Sequence, residues 1–210
     1  FYLSIRGEDW AERLAPWVEL HERGHEIGNH TLSHTCSINF SDAEHPRGLE
    51  TMTLDEMEAD ILEAEARLQS LFPRPSRSFA YPCYMTYVGM GESRQSYVPI
   101  IARHFIAGRA FGEYGFCNSP YNCDLACLWS RPIEHMRGEE IVGHIDRALV
   151  QGRWLILTMH HIGGARLGTA STEFEWMLDY LDRQRQHIWV APVATIAEHL
   201  WQLRGGRRTT

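Results

Sequence analysis

Short apolar runs of strand length alternate with amphipathic helical segments along the whole chain, and this alternation constrains the fold more than any other feature. A chain that repeats strand and helix in this way buries its strands in a mainly parallel sheet flanked by helices. Residues 8–23 read as a helix, with Trp10, Leu14, Trp17 and Leu20 at helical spacing and Gly24 as the stop. Residues 54–71 read as a second helix. Thr53 and Glu56 have the spacing of a capping box, and Leu54, Met57, Ile61, Leu68 and Leu71 form the buried stripe. Pro73 and Pro75 end it. Residues 78–81 read as a buried strand, 97–105 as a helix and 106–109 as a short strand. A helix over 139–150 closes at Gly152, and 154–159 is the clearest strand. Thr172 and Glu175 predict a capped helix carrying Phe174, Met177, Leu178 and Leu181. A strand over 188–193 and a helix over 195–203 complete the pattern. The fold class that follows is α/β, with the parallel sheet closed or distorted into a barrel. Working residues in such folds collect at the C-terminal ends of strands, where His30, the run Tyr81, Pro82, Cys83, and His160 all fall.

With 210 residues, 44% of them hydrophobic, the chain has enough material for one sizeable core, and one domain over 1–203 is expected. The formal charge is -7 and Lys and Arg form no stripe, which argues against a nucleic-acid partner. Arg204, Arg207 and Arg208 lie in a Gly-containing stretch, 204–210, that reads as a flexible basic tail. No apolar stretch approaches the roughly 18 residues of a membrane span. The first residues are strand-like and show neither Met nor a signal peptide, so they read as a start within a longer gene product. Of the five cysteines, Cys117, Cys123 and Cys127 lie close together without tight CxxC pairs, which favours a local disulfide or buried thiols over structural zinc.

Twelve histidines are present, and the dense cluster is the run from His25 to His34. His30 and His34 are four apart. A helical turn starting at His30 would bring both imidazoles to one side, a geometry that suits two nitrogen ligands on one zinc or similar ion. A chance surface or capping pair competes with that reading. His160 leaves the strongest strand just before Gly163 and Gly164, a good setting for acid–base work, with a core or capping histidine as the alternative. His25, His45, His104, His135, His144, His187 and His199 read as ordinary structural or surface residues.

Taken in order, these segments resemble the polysaccharide deacetylase family, carbohydrate esterase family 4. The metal motif H-[ST]-x-x-H is matched by His30-Thr31-Leu32-Ser33-His34, preceded by a family-like Gly-His-Glu-Ile-Gly-Asn. Phe79-Ala80-Tyr81-Pro82-Cys83 looks like the family's Pro-containing loop motif, and residues 154–160 look like its apolar strand ending in a catalytic His. The resemblance runs over about residues 1–203 and implies a distorted α/β barrel. It implies His30 and His34 as metal ligands and His160 as the acid that protonates the leaving group. By the same resemblance the Cys83 N–H is an oxyanion donor, and Tyr81, Pro82 and Trp129 are substrate contacts, with a core aromatic as the alternative for Trp129. The cofactor implied is a divalent metal, zinc first, with cobalt, nickel or iron also suited to nitrogen donors. An acetylated oligo- or polysaccharide is the implied partner, and an extracellular or cell-envelope setting the implied place.

The chain departs from the family pattern in two places. No Asp-Asp pair occurs anywhere, although the family's first motif carries one aspartate as metal ligand and one as base. Residues 1–3 look like the family's second strand, so the aspartates are expected upstream of the chain. Ala80 stands where the loop motif usually has Arg. Each acid–base partner is typically worth about 10²–10⁴-fold in rate. Two other functions therefore stay open beside carbohydrate deacetylation: a metal-dependent amidohydrolase for a small non-sugar amide, and a catalytically inactive carbohydrate-binding pseudo-enzyme. A missing first strand also predicts an open sheet edge through which copies pair into a homo-oligomer.

Overall fold

The computed structural model describes residues 1–40, 47–112, 117–164 and 166–206; His45, Arg207 and Arg208 lie outside the described residues. The chain opens with two short helices, α1 (Trp10–Leu14) and α2 (Trp17–Glu22), where the periodicity predicts one. Pro16 is the cause: it has no N–H to continue the helical ladder, and it caps α2 instead. The apolar spacing survives the break. Leu14 is buried, and Trp10, Trp17 and Val18 pack against Ile5, Ile27, Ala64, Leu68 and Phe72.

The long helix α3 (Leu54–Leu71) has the predicted bounds. Thr53 Oγ1 accepts from the Glu56 N–H, and the Glu56 carboxylate accepts from the Thr53 N–H, so the capping box is complete. Strand β1 (Ser78–Ala80) follows and is buried throughout. After a short ribbon of β2 (Tyr87–Val88) and β3 (Gln95–Ser96) comes α4 (Val98–His104), with Pro99 in its first turn, and then β4 (Ala107–Phe111). The remaining elements are β5 (Leu128–Pro132), α5 (Gly138–Val150), β6 (Leu157–Thr158), β7 (His161–Ile162), β8 (Gly168–Thr169), α6 (Ser171–Arg183) and α7 (Val193–Leu203).

Two compact units share these elements. The first holds Phe1–Ala110, Leu125–Cys127 and Pro192–Glu198. Its sheet is parallel, with β1 paired to β4 in the register Ser78↔Ala107, Asn29 bridging Phe79 and Tyr2 bridging Gly28, while the β2–β3 ribbon is antiparallel. A Cβ on Gly28 would strike the Tyr2 ring, so only glycine lets the two strands meet there. The core is aromatic. Phe79 meets Tyr81 at 5.1 Å and Phe105 at 5.4 Å between ring centroids, above Met57 and Ile61 of α3. Burying each such side chain stabilises the fold by about 1.5–3 kcal/mol. Glu26 is buried as well, and its carboxylate accepts from the N–H of Ser78 (2.8 Å) and of Ala194 at the start of α7 (3.0 Å).

The second unit holds Phe111–Asp124, Leu128–Ala191 and His199–Thr210. Strands β5 and β6 pair in parallel, Arg131↔Leu157, and α5 packs on α6 around Ile133, Ile141, Ile145 and Met177. Several expectations need correction here. Of 154–159 only Leu157–Thr158 enters a ladder, because Trp154 turns to an antiparallel bridge with Asn118. No strand forms over 188–193: the Ile188 N–H closes a turn on Gln184, Trp189 and Val190 are exposed, and α7 begins already at Val193. Thr172 and Glu175 do not cap α6, which starts at Ser171 after Ala170; the Glu173 carboxylate accepts from the Gly138 N–H instead. Arg204 is anchored rather than free in a tail, donating to the carbonyls of Pro120 (2.9 Å) and Cys123 (2.8 Å). Among the described residues no helix is long and apolar enough to cross a membrane.

Candidate functional site

The loop that carries the two histidines leaves the strand bridge at Asn29. The buried Asn29 side chain accepts from the Thr31 N–H (2.9 Å) and donates to the Ile61 carbonyl (3.2 Å) and the Glu65 carboxylate (3.0 Å). From α3, the Asp60 carboxylate accepts from the N–H groups of Leu32 (2.9 Å) and Ser33 (3.1 Å). Thr31 Oγ1 accepts from the His34 N–H at 2.9 Å. These bonds fix a loop and not a helical turn, since Thr31 (φ 62) and His34 (φ 51) are both left-handed. The predicted helical route is therefore wrong, yet the predicted juxtaposition is present: the imidazole centroids lie 4.7 Å apart with the rings near perpendicular. His30 Nδ1 donates to the Ala80 carbonyl at 2.7 Å, which commits that nitrogen's proton and makes Nε2 the lone-pair atom of the ring.

Behind His30 stands the Tyr2 ring, at 6.1 Å, with the Arg109 guanidinium 4.8 Å from the Tyr2 ring and 5.6 Å from that of Tyr84. Burial, reinforced by the Glu26 charge, raises the Tyr2 hydroxyl well above its ordinary value, so it stays a neutral partner of Ser78 Oγ (2.7 Å).

The turn after β1 holds the next three predicted residues. Tyr81 is fully buried, and its hydroxyl donates to the Ala126 carbonyl at 2.6 Å. Its side chain belongs to the core, which corrects the expectation of a substrate contact. Pro82 is buried also. Cys83 (φ 50) and Tyr84 (φ 60) are consecutive left-handed residues that swing the chain back. The N–H groups of Tyr84 and Met85 close on the carbonyls of Tyr81 and Pro82, both at 3.0 Å. Cys83 forms a disulfide with Cys36, with Cα atoms 5.7 Å apart. The sequence reading did not find that pairing, because the two residues are 47 apart and meet only across the loop from His30. Cys117, Cys123 and Cys127 stand as thiols, and burial pushes the Cys117 thiol up.

As a metal site, the donor chemistry at His30 and His34 suits a nitrogen-preferring divalent ion. A third donor of the family type is absent among the described residues. The group of His, Cys, Asp and Glu donors close enough to share an ion there is His34, Cys36 and Cys83, with no carboxylate in it. Asp60 of α3, which touches the loop, spends its oxygens on backbone N–H groups.

His160 lies in the second unit, half exposed just past β6, and its Nδ1 sits 2.6 Å from the Glu134 carboxylate. Glu134 follows β5, so the pair stands at the C-terminal ends of two paired parallel strands. Sequence reasoning missed Glu134, because its partner His160 is 26 residues away and reaches it only through the pairing of β5 with β6. Trp129 is 38% exposed, with its N–H and carbonyl both clamped by the Asn118 side chain at 2.8 Å. Other histidines have ordinary partners: His104 the Glu58 carboxylate (2.7 Å), His135 the Arg166 carbonyl (2.7 Å), His199 the Trp189 ring (5.2 Å).

No curated protein matches the chain. Among solved structures, a wild-type CE4 family pseudoenzyme from Bacillus anthracis is 12% identical with a TM-score of 0.51, covering 94% of this chain and 54% of its own. A mutant of that pseudoenzyme gives 12%, 0.51, 94% and 56%. A candidate polysaccharide deacetylase from Mycobacterium smegmatis is 13% identical with a TM-score of 0.50, covering 96% of this chain and 72% of its own. The chain thus spans little more than half the length of the two pseudoenzyme structures. At such identities the likeness concerns the fold, which is the expected α/β fold of the deacetylase type. The family model described as polysaccharide deacetylase matches residues 7–86, the stretch with both histidines and the Cys36–Cys83 loop. Over this segment the chain is similar to the polysaccharide deacetylase family.

Proposed function

We propose that the chain binds a divalent ion, zinc first, through His30 and His34 and serves a hydrolase that removes acetyl groups from N- or O-acetylated carbohydrates. The observation that carries this reading is the imidazole pair, 4.7 Å apart, with His30 Nδ1 committed to the Ala80 carbonyl. A bound ion would polarise the acetyl carbonyl and activate a water. The chain's own residues supply the rest. Asn29, Thr31 and Asp60 hold the two ligands in place before any ion arrives. The Cys83 N–H, in its left-handed turn, is the donor to the developing oxyanion. By the family resemblance His160, held at Nδ1 by Glu134 within the second unit, has the part of a proton donor through Nε2. The disulfide supports an extracellular or cell-envelope place, where such bonds persist.

One observation favours a second reading, a non-catalytic carbohydrate-binding domain: no carboxylate joins His30 and His34 among the described residues, so the water has no base there. Zinc titration of the wild type, His30→Ala and His34→Ala, with acetate release from N- and O-acetylated oligosaccharides, separates the two. Deacetylation predicts slow, zinc-dependent acetate release that added formate, a small carboxylate base, accelerates. Zinc and sugar binding without acetate on any substrate, formate included, selects the binding domain. Zinc affinity indifferent to both histidine substitutions overturns the metal site itself.

A further inference from the structure

The two cysteines that close the loop after His34 lie next to a ring nitrogen of that histidine. Cys36 Sγ is 3.9 Å from His34 Nδ1, and both sulphurs lie with a His34 ring nitrogen inside a 4.8 Å cluster. We infer that reducing the Cys36–Cys83 disulfide creates a different metal site, His34 with two thiolates, which takes a thiophilic divalent ion such as zinc. It shares with the proposed function only the ability of His34 to act as a ligand.

Thiolates bind zinc at about 2.3 Å, so a tetrahedral pair of sulphurs stands about 3.8 Å apart. With Cα atoms 5.7 Å apart, rotation about the two Cα–Cβ bonds opens the sulphurs that far without moving the backbone. Both backbones are tied independently of the disulfide. The Cys36 carbonyl accepts from the Leu49 N–H (2.9 Å), and Glu50 holds Ser37 Oγ and the Ile38 N–H. On the other side, the Tyr84 and Met85 N–H groups close the Cys83 turn. His34 is exposed and the cysteines are half-buried, so an ion and a reductant both have access. The fourth position remains for water.

The chemistry balances with a dithiol as reductant. One thiolate attacks the Cys36–Cys83 bond, its second sulphur resolves the mixed disulfide, and the reductant leaves as its own disulfide. The two cysteines gain two electrons and two protons, and metal binding then releases those protons. The redox state of one bond thereby selects between an imidazole pair and a nitrogen–sulphur set, which differ in metal preference.

The test is a cobalt(II) titration of the whole chain, air-oxidised and after reduction with dithiothreitol removed under argon. The reduced protein should show thiolate-to-cobalt charge-transfer absorption that zinc abolishes, and the oxidised protein should not. Cys36→Ser/Cys83→Ser should lose the band, and His34→Asn, which tolerates the left-handed backbone, should weaken reduced-state binding at least about tenfold. His30→Ala should keep the band while losing the oxidised protein's binding, which separates this site from the imidazole pair. No band in the reduced wild type overturns the inference, and so does a band that survives in the double serine variant, since Cys117, Cys123 and Cys127 would then be its source. Should the double variant not fold by circular dichroism, the oxidised-against-reduced comparison and His34→Asn decide alone.

Discussion

Two backbone N–H groups in a loop, those of Leu32 and Ser33, end on the single carboxylate of Asp60. Hydrogen bonds to an ionised acceptor are the strong ones, so one side chain substitutes for the ladder that this loop lacks. Asp60→Ala should cost about 2 kcal/mol in denaturant unfolding and weaken zinc binding by about 10–100-fold, while His30 and His34 stay intact. Unchanged zinc affinity would show that the loop holds its ligands without Asp60. Glu134 plays the corresponding part for His160. Glu134→Gln should lower kcat for acetate release by about 10²-fold with little change in KM, and a fall in KM alone would contradict the orienting role. At this scale the sequence showed the histidine pair and hid its supports. His30 and His34 are visible because the motif is local and ordered. Asp60, Glu134 and the Cys36–Cys83 pairing depend on residues brought together by the fold, and no local pattern announces them. Even for the visible pair the mechanism differed, because the left-handed φ at Thr31 and His34 is not a property that their residue types advertise.

Among the elements, α3 was legible end to end, since a capping box and two prolines write both of its boundaries into local chemistry. Thr53→Ala should remove the cap and lower stability by about 1 kcal/mol, read as a fall in Tm of a few degrees. Carboxylates of this helix and its approach also tie it to its neighbours. At Glu50 burial acts upward but is outweighed by the Ser37 hydroxyl and the Ile38 N–H; at Glu56 the Thr53 N–H, and at Glu58 the His104 ring, hold the carboxyl below its usual 4.5. A carboxylate lowered in the folded state contributes stability that is complete above the unfolded value and is lost as pH falls through the folded one. Unfolding midpoints should therefore be level from neutral pH down to about 5 and fall below about 4.5. His104→Ala should flatten part of that fall, and an identical pH profile would remove Glu58 from the account. The misread elements fail for equally physical reasons. Pro16 interrupts a periodicity that side-chain spacing alone cannot reveal as broken. The apolar run at 188–193 has strand composition, but a strand exists only where another backbone meets it.

For the molecule as a whole, alternation of strand and helix was enough to predict a parallel α/β architecture, because parallel strands need crossovers and the crossovers here have helical periodicity. Composition could not say how stability is distributed. The Cys36–Cys83 bond closes a long loop, with partners 47 residues apart, and in the chain-entropy view it stabilises the fold by about 4 kcal/mol. Reduction should lower Tm, and zinc should restore part of the loss in the reduced protein by binding only the folded state. A Tm insensitive to reduction would mean that the unfolded chain is already compact across that loop. The ties to Asn29, Thr31, Asp60 and Glu50 have one more consequence, for the time the chain spends open. Residues 29–38 contain almost no regular secondary structure, yet several of their amides are held by buried or ionised acceptors. A hydrogen–deuterium exchange map of this protein should therefore show slow amides at Thr31, Leu32 and Ser33, an island of protection that a secondary-structure diagram would leave blank.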